Sequence, residues 1–229
     1  MDIPPDFDRR KAKYAPVAAI LRARYGELTW QPQRPAVDEL VNCILSQNTN
    51  DTNRDRAYVA LRGRYPTWAD VVNAPTAELV ETIRPAGLAN RKAPRIQQVL
   101  AAIRQERGDY TLDFLRDWPV EDAKAWLLNL DGVGPKTAAI VLCFGLGRPA
   151  FPVDTHIHRV GRRLGLLPPK VSADHAHPVM EAIVPPEEYY AFHIYMIRHG
   201  RDTCKARAPL CEGCPLTDYC DYYAGWVTI

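Results

Sequence analysis

The sequence predicts an all-α fold, and three observations support this prediction. Apolar residues recur at helical spacing in one segment after another. Helix-start residues such as Thr67, Thr76 and Ser172, and breakers such as Pro75 and Pro119, stand between these segments. No stretch alternates polar and apolar residues as a half-buried strand would. With 229 residues and 47% apolar content, the chain is long enough to bury a core.

One segment is apolar on every side and should form the central core helix. It is PKTAAIVLCFGLG, residues 135–147, whose apolar run extends from Ala138 to Phe144. The pattern breaks in GRPAFP, Gly147 to Pro152, where we expect the chain to cross between domains. We expect further helices, each with one buried face, in the segments 37–45, 96–103 and 123–130.

Hydropathy indicates the cellular compartment, but the net charge does not identify the binding partner. The net charge of +2 is too small to decide for or against nucleic acid. No run approaches the roughly 20 apolar residues that a membrane span needs. The start of the chain, MDIPPDFDRRKAKY, is polar and lacks a hydrophobic signal region. We therefore predict a cytoplasmic protein without a membrane partner.

The stretch LLNLDGVGPKTA, Leu127 to Ala138, is typical of two helices joined by a tight turn. Gly132 and Gly134 supply backbone angles that a side chain would oppose. Pro135 suits the first turn of the second helix, because its nitrogen needs no acceptor there. The neighbouring turn amides would then be free to face an anion such as a DNA phosphate.

Lys136 follows this turn at the start of the second helix. The helix dipole disfavours a positive charge at that end, which should lower the pKa of the amine and favour a nucleophile that attacks a sugar carbon. The alternative is an ordinary helix–turn–helix corner with a solvated lysine.

Asp154 precedes a predicted helix in FPVDTHIHRVGRRLG. Taken alone it is a helix N-cap. Near Lys136 it could instead activate the amine or stabilise a cationic sugar. On the same helix, Arg159 and Arg163 share a face with Arg162, which is either a phosphate-contacting strip or a solvated one.

Four cysteines form the most specific pattern in the chain, with six, two and five residues between successive members. A single close pair flanked by two outer cysteines favours a [4Fe-4S] cluster over zinc, and a reducing compartment disfavours disulfides. Lys205 and Arg207 lie in the first loop and could contact phosphate, whereas Cys43 and Cys143 should be small buried hydrophobes. The predicted ligands are Cys204, Cys211, Cys214 and Cys220.

Three motifs in order, LDGVGPKTA, VDTH and C-x6-C-x2-C-x5-C, together resemble the endonuclease III branch of the helix-hairpin-helix DNA glycosylases. The resemblance extends from about Leu40 through Cys220. It implies a two-lobed all-α fold with a six-helix domain and an iron-sulfur cluster domain. We assign 36–148 to the first domain, and 1–35 with 149–229 to the second.

The resemblance also implies a reaction. Double-stranded DNA with a damaged base or an abasic site would lie between the lobes, with the nucleotide flipped out of the stack. Lys136 would attack C1′, expel the base and form a Schiff base that permits β-elimination, with Asp154 assisting. The expected activity is that of a bifunctional glycosylase and abasic-site lyase in base-excision repair, acting as a nucleoid-associated monomer, with oxidised pyrimidines as the family's substrates.

Within this resemblance, Asn48 aligns with a glutamine that fills the gap left by the flipped base, although the adjacent Gln47 could do so instead. Leu88 resembles a second, apolar wedge. Without the resemblance, the two positions would be interpreted as a helix C-terminal turn and a core leucine. The expected DNA-contact residues are Gln47, Asn48, Leu88, Arg91, Gly132, Val133, Gly134, Lys205 and Arg207.

The sequence departs from the family where Asn48 replaces the glutamine, and where Asp131 and Pro135 replace a proline and an arginine of the hairpin. Three alternatives stay open. A monofunctional adenine-mismatch glycosylase is disfavoured by Lys136. A non-catalytic helix-hairpin-helix module would use the hairpin and cluster only to hold DNA. An electron-transfer protein would leave the hairpin and Asp154 without a role.

Overall fold

The computed structural model describes residues 6–225, and among these residues no strand is present, which confirms the all-α prediction. Backbone contacts divide the chain into two compact units. The hairpin unit extends from Pro32 to Arg148, and the cysteine unit combines the described residues up to Gln31 with those from Pro149 onward. The domain limits of 36–148 stay a prediction. No described helix combines the length and apolar character needed to cross a membrane.

The helices are short and joined by tight connections. Short 3-10 helices add turns at Arg84–Ala86 and Cys211–Gly213, and a π-helical turn spans Val141–Gly145. The α-helices are α1 (Phe7–Ala12), α2 (Tyr14–Tyr25), α3 (Ala36–Ser46), α4 (Asp51–Arg64), α5 (Trp68–Asn73), α6 (Thr76–Thr82), α7 (Ala89–Arg107), α8 (Val120–Leu128), α9 (Pro135–Ile140), α10 (Thr155–Leu164), α11 (Ala173–Ile183) and α12 (Tyr189–Asp202).

Helix α3 occupies the centre of the hairpin unit, in contact with α4, α7, α9 and the π-helical turn. Leu40, Val41 and Ile44 are fully buried. Helix α9 continues directly into the π-helical turn, so the segment expected to form the core helix does so. A Cβ atom at Gly145 would lie 2.8 Å from Cα of Ala36, so this close approach to α3 requires a glycine.

The cysteine unit is built on α12, which packs against α2 and α10. Phe192, Tyr195 and Met196 of α12 are fully buried. Charged contacts join the first helices to the end of the described chain, because Asp221 pairs with Arg9 and with Lys13. Residues far apart in sequence therefore form one unit.

Capping residues define several helix starts as the sequence predicts. Thr67 and Asp70 form a reciprocal capping box at α5, and the Ser172 hydroxyl accepts from the backbone N–H of His175 at α11. Thr76 also lies at a helix start, as the sequence predicts, although it does not act as the cap. It is the first residue of α6, the N-cap is Pro75, and its hydroxyl donates to Oε1 of Gln97 at 2.8 Å.

Candidate functional site

The hairpin joins α8 to α9 through a turn that depends on glycine. Gly132 has a φ of 75°, and the backbone N–H of Val133 donates to the Leu130 carbonyl at 3.1 Å. Gly134 is the N-cap of α9, and Pro135 is its first residue. Val133 is buried, whereas Gly134 is exposed. The structure therefore confirms the predicted helix–turn–helix and leaves the backbone of Gly134 accessible to an anion.

Lys136 is the second residue of α9 and is half-buried. Its charge lies close enough to Cys43 of α3 to act on the thiol. Burial dominates there and raises the pKa of Cys43 to about 11, with Lys136 opposing the shift. Burial also raises the pKa of Cys143 to about 12. Both thiols stay protonated near neutral pH, consistent with their predicted role as small hydrophobes.

The turn after α3 separates the roles of Gln47 and Asn48. Nε2 of Gln47 donates to the Gly132 carbonyl at 3.3 Å, so this side chain reaches the hairpin. Asn48 is exposed and has a φ of 52°, a left-handed conformation that asparagine tolerates better than most residues. The side chain that projects outward is therefore that of Asn48.

Leu88 precedes α7 in a left-handed conformation, with φ 50° and ψ 30°. Its side chain is 48% exposed, so the interpretation as a core leucine is wrong. An exposed leucine in a backbone conformation that leucine disfavours indicates a constraint other than packing. Arg91 is exposed three residues further on, and its backbone N–H donates to the Leu88 carbonyl at 2.9 Å.

Asp154, in the cysteine unit, is the N-cap of α10. Its Oδ1 accepts from the backbone N–H of Ile157 at 2.8 Å, as the local prediction required. The extended segment before it is held by buried histidines. Nδ1 of His177 contacts the Phe151 carbonyl and Nδ1 of His193 the Pro152 carbonyl, each at 2.9 Å. These contacts fix the backbone that presents the Asp154 carboxylate.

The four predicted cluster ligands, Cys204, Cys211, Cys214 and Cys220, all line one cavity of the cysteine unit. Within residues 6–225, no three His, Cys, Asp or Glu side chains converge closely enough to hold a single metal ion. A zinc ion would need four ligand atoms within about 2.3 Å of one point, whereas a cubane places its ligands around a larger core. Four thiols around one cavity are the donor set that a [4Fe-4S] cluster requires.

Burial and positively polarised groups act in opposite directions on these thiols. Burial raises the pKa of Cys214 and of Cys220. Nη1 of Arg163 lies 3.4 Å from Sγ of Cys204, and Nε2 of His199 lies 3.8 Å from Sγ of Cys214. A charged donor such as Arg163 beside a sulfur stabilises a thiolate ligand, which a cluster requires.

The arginines of α10 have a function that the sequence did not reveal. Arg163 donates to the carbonyls of Lys205 and Ala206, at 2.7 and 3.1 Å, and Arg159 donates to those of Gly200 and Cys204. They hold the cysteine loop, so both interpretations of the strip, phosphate contact and solvation, are wrong for these two residues.

The loop between the first two cysteines exposes its charged side chains. Lys205 and Arg207 are both exposed, and Ala208 has a φ of 50°. The arginines of α10 therefore hold the loop by its backbone and leave these two cations on the surface.

Two further basic residues of the hairpin unit escaped the sequence interpretation. A Cβ atom at Gly132 would lie 2.0 Å from Nε of Arg95, so the guanidinium of this α7 residue covers the hairpin turn. Arg95 also pairs with Asp131 at 3.7 Å. Lys92 is 2% exposed. Its place in the apolar row that continues through Ile96 is a signal that could have drawn attention to it.

Two family models match this chain. Residues 41–186 match the HhH-GPD superfamily of base-excision DNA repair proteins, and residues 204–220 match the iron-sulfur binding domain of endonuclease III. The second match begins at Cys204 and ends at Cys220. These findings support a [4Fe-4S] cluster as the cofactor.

Individual relatives agree. Endonuclease III of Thermotoga maritima is 33% identical over 184 residues, covering 80% of this chain and 82% of that protein. Endonuclease III of Bacillus subtilis is 35% identical over 183 residues and 80% of each chain. A solved structure of a trapped endonuclease III–DNA covalent intermediate, an estranged-adenine complex, has a TM-score of 0.80 at 30% identity, covering 94% of this chain and 97% of that one. This chain belongs to the endonuclease III family of HhH-GPD base-excision repair DNA glycosylases.

Proposed function

We propose that the protein is a bifunctional DNA glycosylase and abasic-site lyase that removes oxidised pyrimidines from double-stranded DNA. The observation that carries the proposal is the position of Lys136, a half-buried amine directly after the glycine turn of the hairpin. The similar endonuclease III structure, a trapped covalent intermediate with DNA, supports covalent chemistry.

In the proposed reaction, the Lys136 amine attacks C1′ of the flipped nucleotide and the C1′–N bond breaks. The base leaves with the electron pair of that bond and takes up a proton. The attached nitrogen then gives up one proton, the C1′–O4′ bond breaks as O4′ takes up a proton, and the nitrogen lone pair completes an iminium between Nζ and C1′. Removal of a proton from C2′ then breaks the C3′–O bond, and the 3′ phosphate leaves with the cut strand. Water finally hydrolyses the iminium.

Asp154 would assist as a carboxylate of fixed orientation. One of its oxygens is engaged by the backbone N–H of Ile157, so the side chain cannot rotate freely. A negative charge near C1′ stabilises the positive charge that develops on the sugar as the base departs. The capping role and the catalytic role are compatible, because capping uses Oδ1 and sets the direction of the carboxylate.

For DNA contact, we propose that Asn48 fills the gap left by the flipped base and that Leu88 wedges the opposite strand. Both side chains are exposed on turns of the hairpin unit. Gln47 would hold the turn to the hairpin through Gly132 rather than insert. Insertion of an apolar side chain offsets part of the stacking lost on base flipping.

Phosphate contacts would come from backbone and cations. The turn formed by Gly132, Val133 and Gly134 would offer the amides of its two glycines, because that of Val133 already donates to the Leu130 carbonyl. The exposed Arg91, Lys205 and Arg207 would add their charges. Such contacts carry no sequence information, as suits an enzyme that meets lesions anywhere in the genome. We further propose that the protein acts as a monomer at the nucleoid in the cytoplasm.

The four cysteines lining the cavity would ligate the [4Fe-4S] cluster. The cluster would supply structural rigidity, because its thiolates gather an irregular segment that contains little regular helix. Arg159 and Arg163 would hold the first cysteine loop to α10. The loop would then present Lys205 and Arg207 as a fixed surface.

Borohydride trapping tests the lyase. The protein, Lys136→Ala and a control, Lys124→Ala, are incubated with duplexes containing an abasic site or an oxidised pyrimidine, and the iminium is reduced to a stable amine. The native protein and the control should form a covalent DNA adduct, whereas Lys136→Ala should form none. Lys124 is a suitable control because it lies in the same unit and pairs with Glu121 at 3.0 Å.

Base release measured beside strand cleavage separates the alternatives. Release of the base without adduct or cleavage would indicate a monofunctional glycosylase. Binding of lesion DNA without base release or adduct would indicate a non-catalytic module. An adduct that survives Lys136→Ala would assign the nucleophile to another amine.

A further inference from the structure

Lys92 is a buried lysine whose partners are all backbone carbonyls. It lies in the second turn of α7 and is 2% exposed. Its Nζ donates to the Leu45 carbonyl at 2.7 Å and to the Ala86 carbonyl at 2.8 Å. One nitrogen therefore joins two segments that are 41 residues apart in the sequence.

Both carbonyls lie at the ends of helical segments. Leu45 is the penultimate residue of α3, and Ala86 is the last residue of the 3-10 helix Arg84–Ala86. Terminal carbonyls have no partner within their own helix and carry the negative end of its dipole. The ammonium group of Lys92 satisfies one such carbonyl at each end.

The two segments end immediately before the two turns that project from this unit. Asn48 follows Leu45 by three residues, and Leu88 follows Ala86 by two. Both residues are held in the left-handed region, with φ values of 52° and 50°. A backbone held in this region persists only where its surroundings fix it on both sides.

Packing alone does not account for a lysine at this position. Burial lowers the pKa of Lys92 to about 8, which shows that the fold disfavours the charge. A methionine of similar length would fill the same volume without that penalty. The two bonds to the turn-bearing segments are the contribution that methionine could not make.

We propose that Lys92 is a positioning residue that holds the Asn48 turn and the Leu88 turn at a fixed separation, so that both side chains enter the DNA together. This inference rests on the proposed function, which assigns insertion to these two residues. Neither wedge would reach its place at the flipped nucleotide if the other turn moved independently.

The test is a double-mutant cycle on DNA binding. Lys92→Met, Leu88→Ala and the double variant bind a duplex that carries a tetrahydrofuran abasic analogue opposite 2-aminopurine, whose fluorescence increases when the base is unstacked. Lys92→Met should weaken lesion binding by about tenfold or more and reduce the fluorescence increase, with less than about a twofold change on undamaged DNA. The double variant should lose less affinity than the sum of the two single losses, since a displaced Leu88 turn cannot lose its wedge twice.

Lys124→Met makes the same chemical change on α8 and should alter neither measurement. Denaturation curves establish that each variant is folded. If Lys92→Met does not fold, Lys92→Gln replaces it in the cycle. Its amide is one bond too short to span both carbonyls, so coupling to Leu88→Ala is still expected.

Additive losses in the cycle would overturn the inference, because they would mean that Lys92 supports the unit without setting its turns. An unchanged fluorescence signal in a folded Lys92 variant would do the same. Failure of the proposed function looks different, since the native protein would then bind lesion and undamaged duplexes equally and would not unstack 2-aminopurine.

Discussion

Both units hold irregular segments through donors to backbone carbonyls, but in the cysteine unit a buried carboxylate, Asp221, takes part as well. In the hairpin unit, Lys92 and Gln97 bond to backbone carbonyls near turns, and neither is paired with a carboxylate in any contact described. In the cysteine unit, Lys13 bonds to the Leu164 and Tyr219 carbonyls and also pairs with Asp221.

The difference teaches where each unit derives its order. Donors that bind only carbonyls fix backbone geometry at little electrostatic gain, and both units use them at irregular segments. Cation–carboxylate pairs join distant parts of the chain more strongly when they are buried. The cysteine unit uses them to connect its first helices to the segment around the cluster.

The largest effect should come from removing a cluster ligand. Cys214→Ala should lose most of the bound iron and the visible absorption of the purified protein, because the remaining thiolates cannot complete the cluster. Limited proteolysis should then cut the cysteine unit before the hairpin unit. Cys43→Ala is the matched control and should keep its iron. Retention of native iron content by Cys214→Ala would remove this residue from the ligand set.

The next largest effect should come from removing the carboxylate of Asp221, which pairs with Arg9 and Lys13. Asp221 is 2% exposed and pairs with Arg9 at 2.9 Å. Asp221→Asn leaves the Lys13 ammonium, whose side chain is 13% exposed, without its carboxylate, so the free energy of unfolding should fall by about 3 kcal/mol in denaturant titrations. Glu121→Gln breaks an exposed pair and should cost less than about 1 kcal/mol. Equal losses in the two variants would contradict the comparison.

Lys92, the buried lysine of the hairpin unit, should make the free energy of unfolding depend on pH. Its pKa of about 8 in the folded protein lies below the ordinary value of 10.5, so between these values the unfolded chain holds more protons. The native protein should therefore gain about 2 kcal/mol of unfolding free energy relative to Lys92→Met between about pH 7 and pH 10. Denaturant titrations at both pH values measure this, and a constant difference would show that the lysine titrates normally.

Gln97→Leu should have the smallest effect. The Nε2 of Gln97 donates to the Val71 and Ala74 carbonyls at 3.0 and 2.8 Å. Loss of a neutral donor to partly buried carbonyls, which water can still reach, should cost about 0.5–1.5 kcal/mol of unfolding free energy. The neighbouring Gln98→Leu, at an exposed position, is the control and should be nearly neutral. If Gln97→Leu lost more unfolding free energy than Asp221→Asn, carbonyl contacts would matter more for stability than the buried ion pairs, and the comparison would be wrong.

Much of the fold could be predicted from local chemistry. Helical periodicity and the glycines of the hairpin determine local backbone structure, which is why α9 and its turn lie where expected. The helix start at Thr76 was predicted, but the role of its hydroxyl was not, because Pro75 is the N-cap and the hydroxyl donates to Gln97 of α7. That contact comes from another helix, so it cannot be predicted from the sequence around Thr76.

The candidate site divides in the same way. Cysteine spacing predicted a shared cavity, since those residues are close in sequence. The roles of Lys92, Arg95 and Arg163 depend on partners 30 or more residues away, so an isolated basic residue on a helix could not be distinguished from a solvated one. Gln47 and Asn48 were equivalent in the sequence until a bond to Gly132 engaged one of them.

The contact between Gly145 and Ala36 leaves no space for a side chain at residue 145. A methyl group at residue 145 would press against the backbone at the start of α3, and the opposite end of that helix leads into the turn of Asn48. A larger residue at position 145 would therefore tilt helix α3 and would not open a cavity. We therefore expect substitutions at Gly145 or Ala36 to alter lesion preference by moving the Asn48 turn, although neither residue would contact the DNA itself.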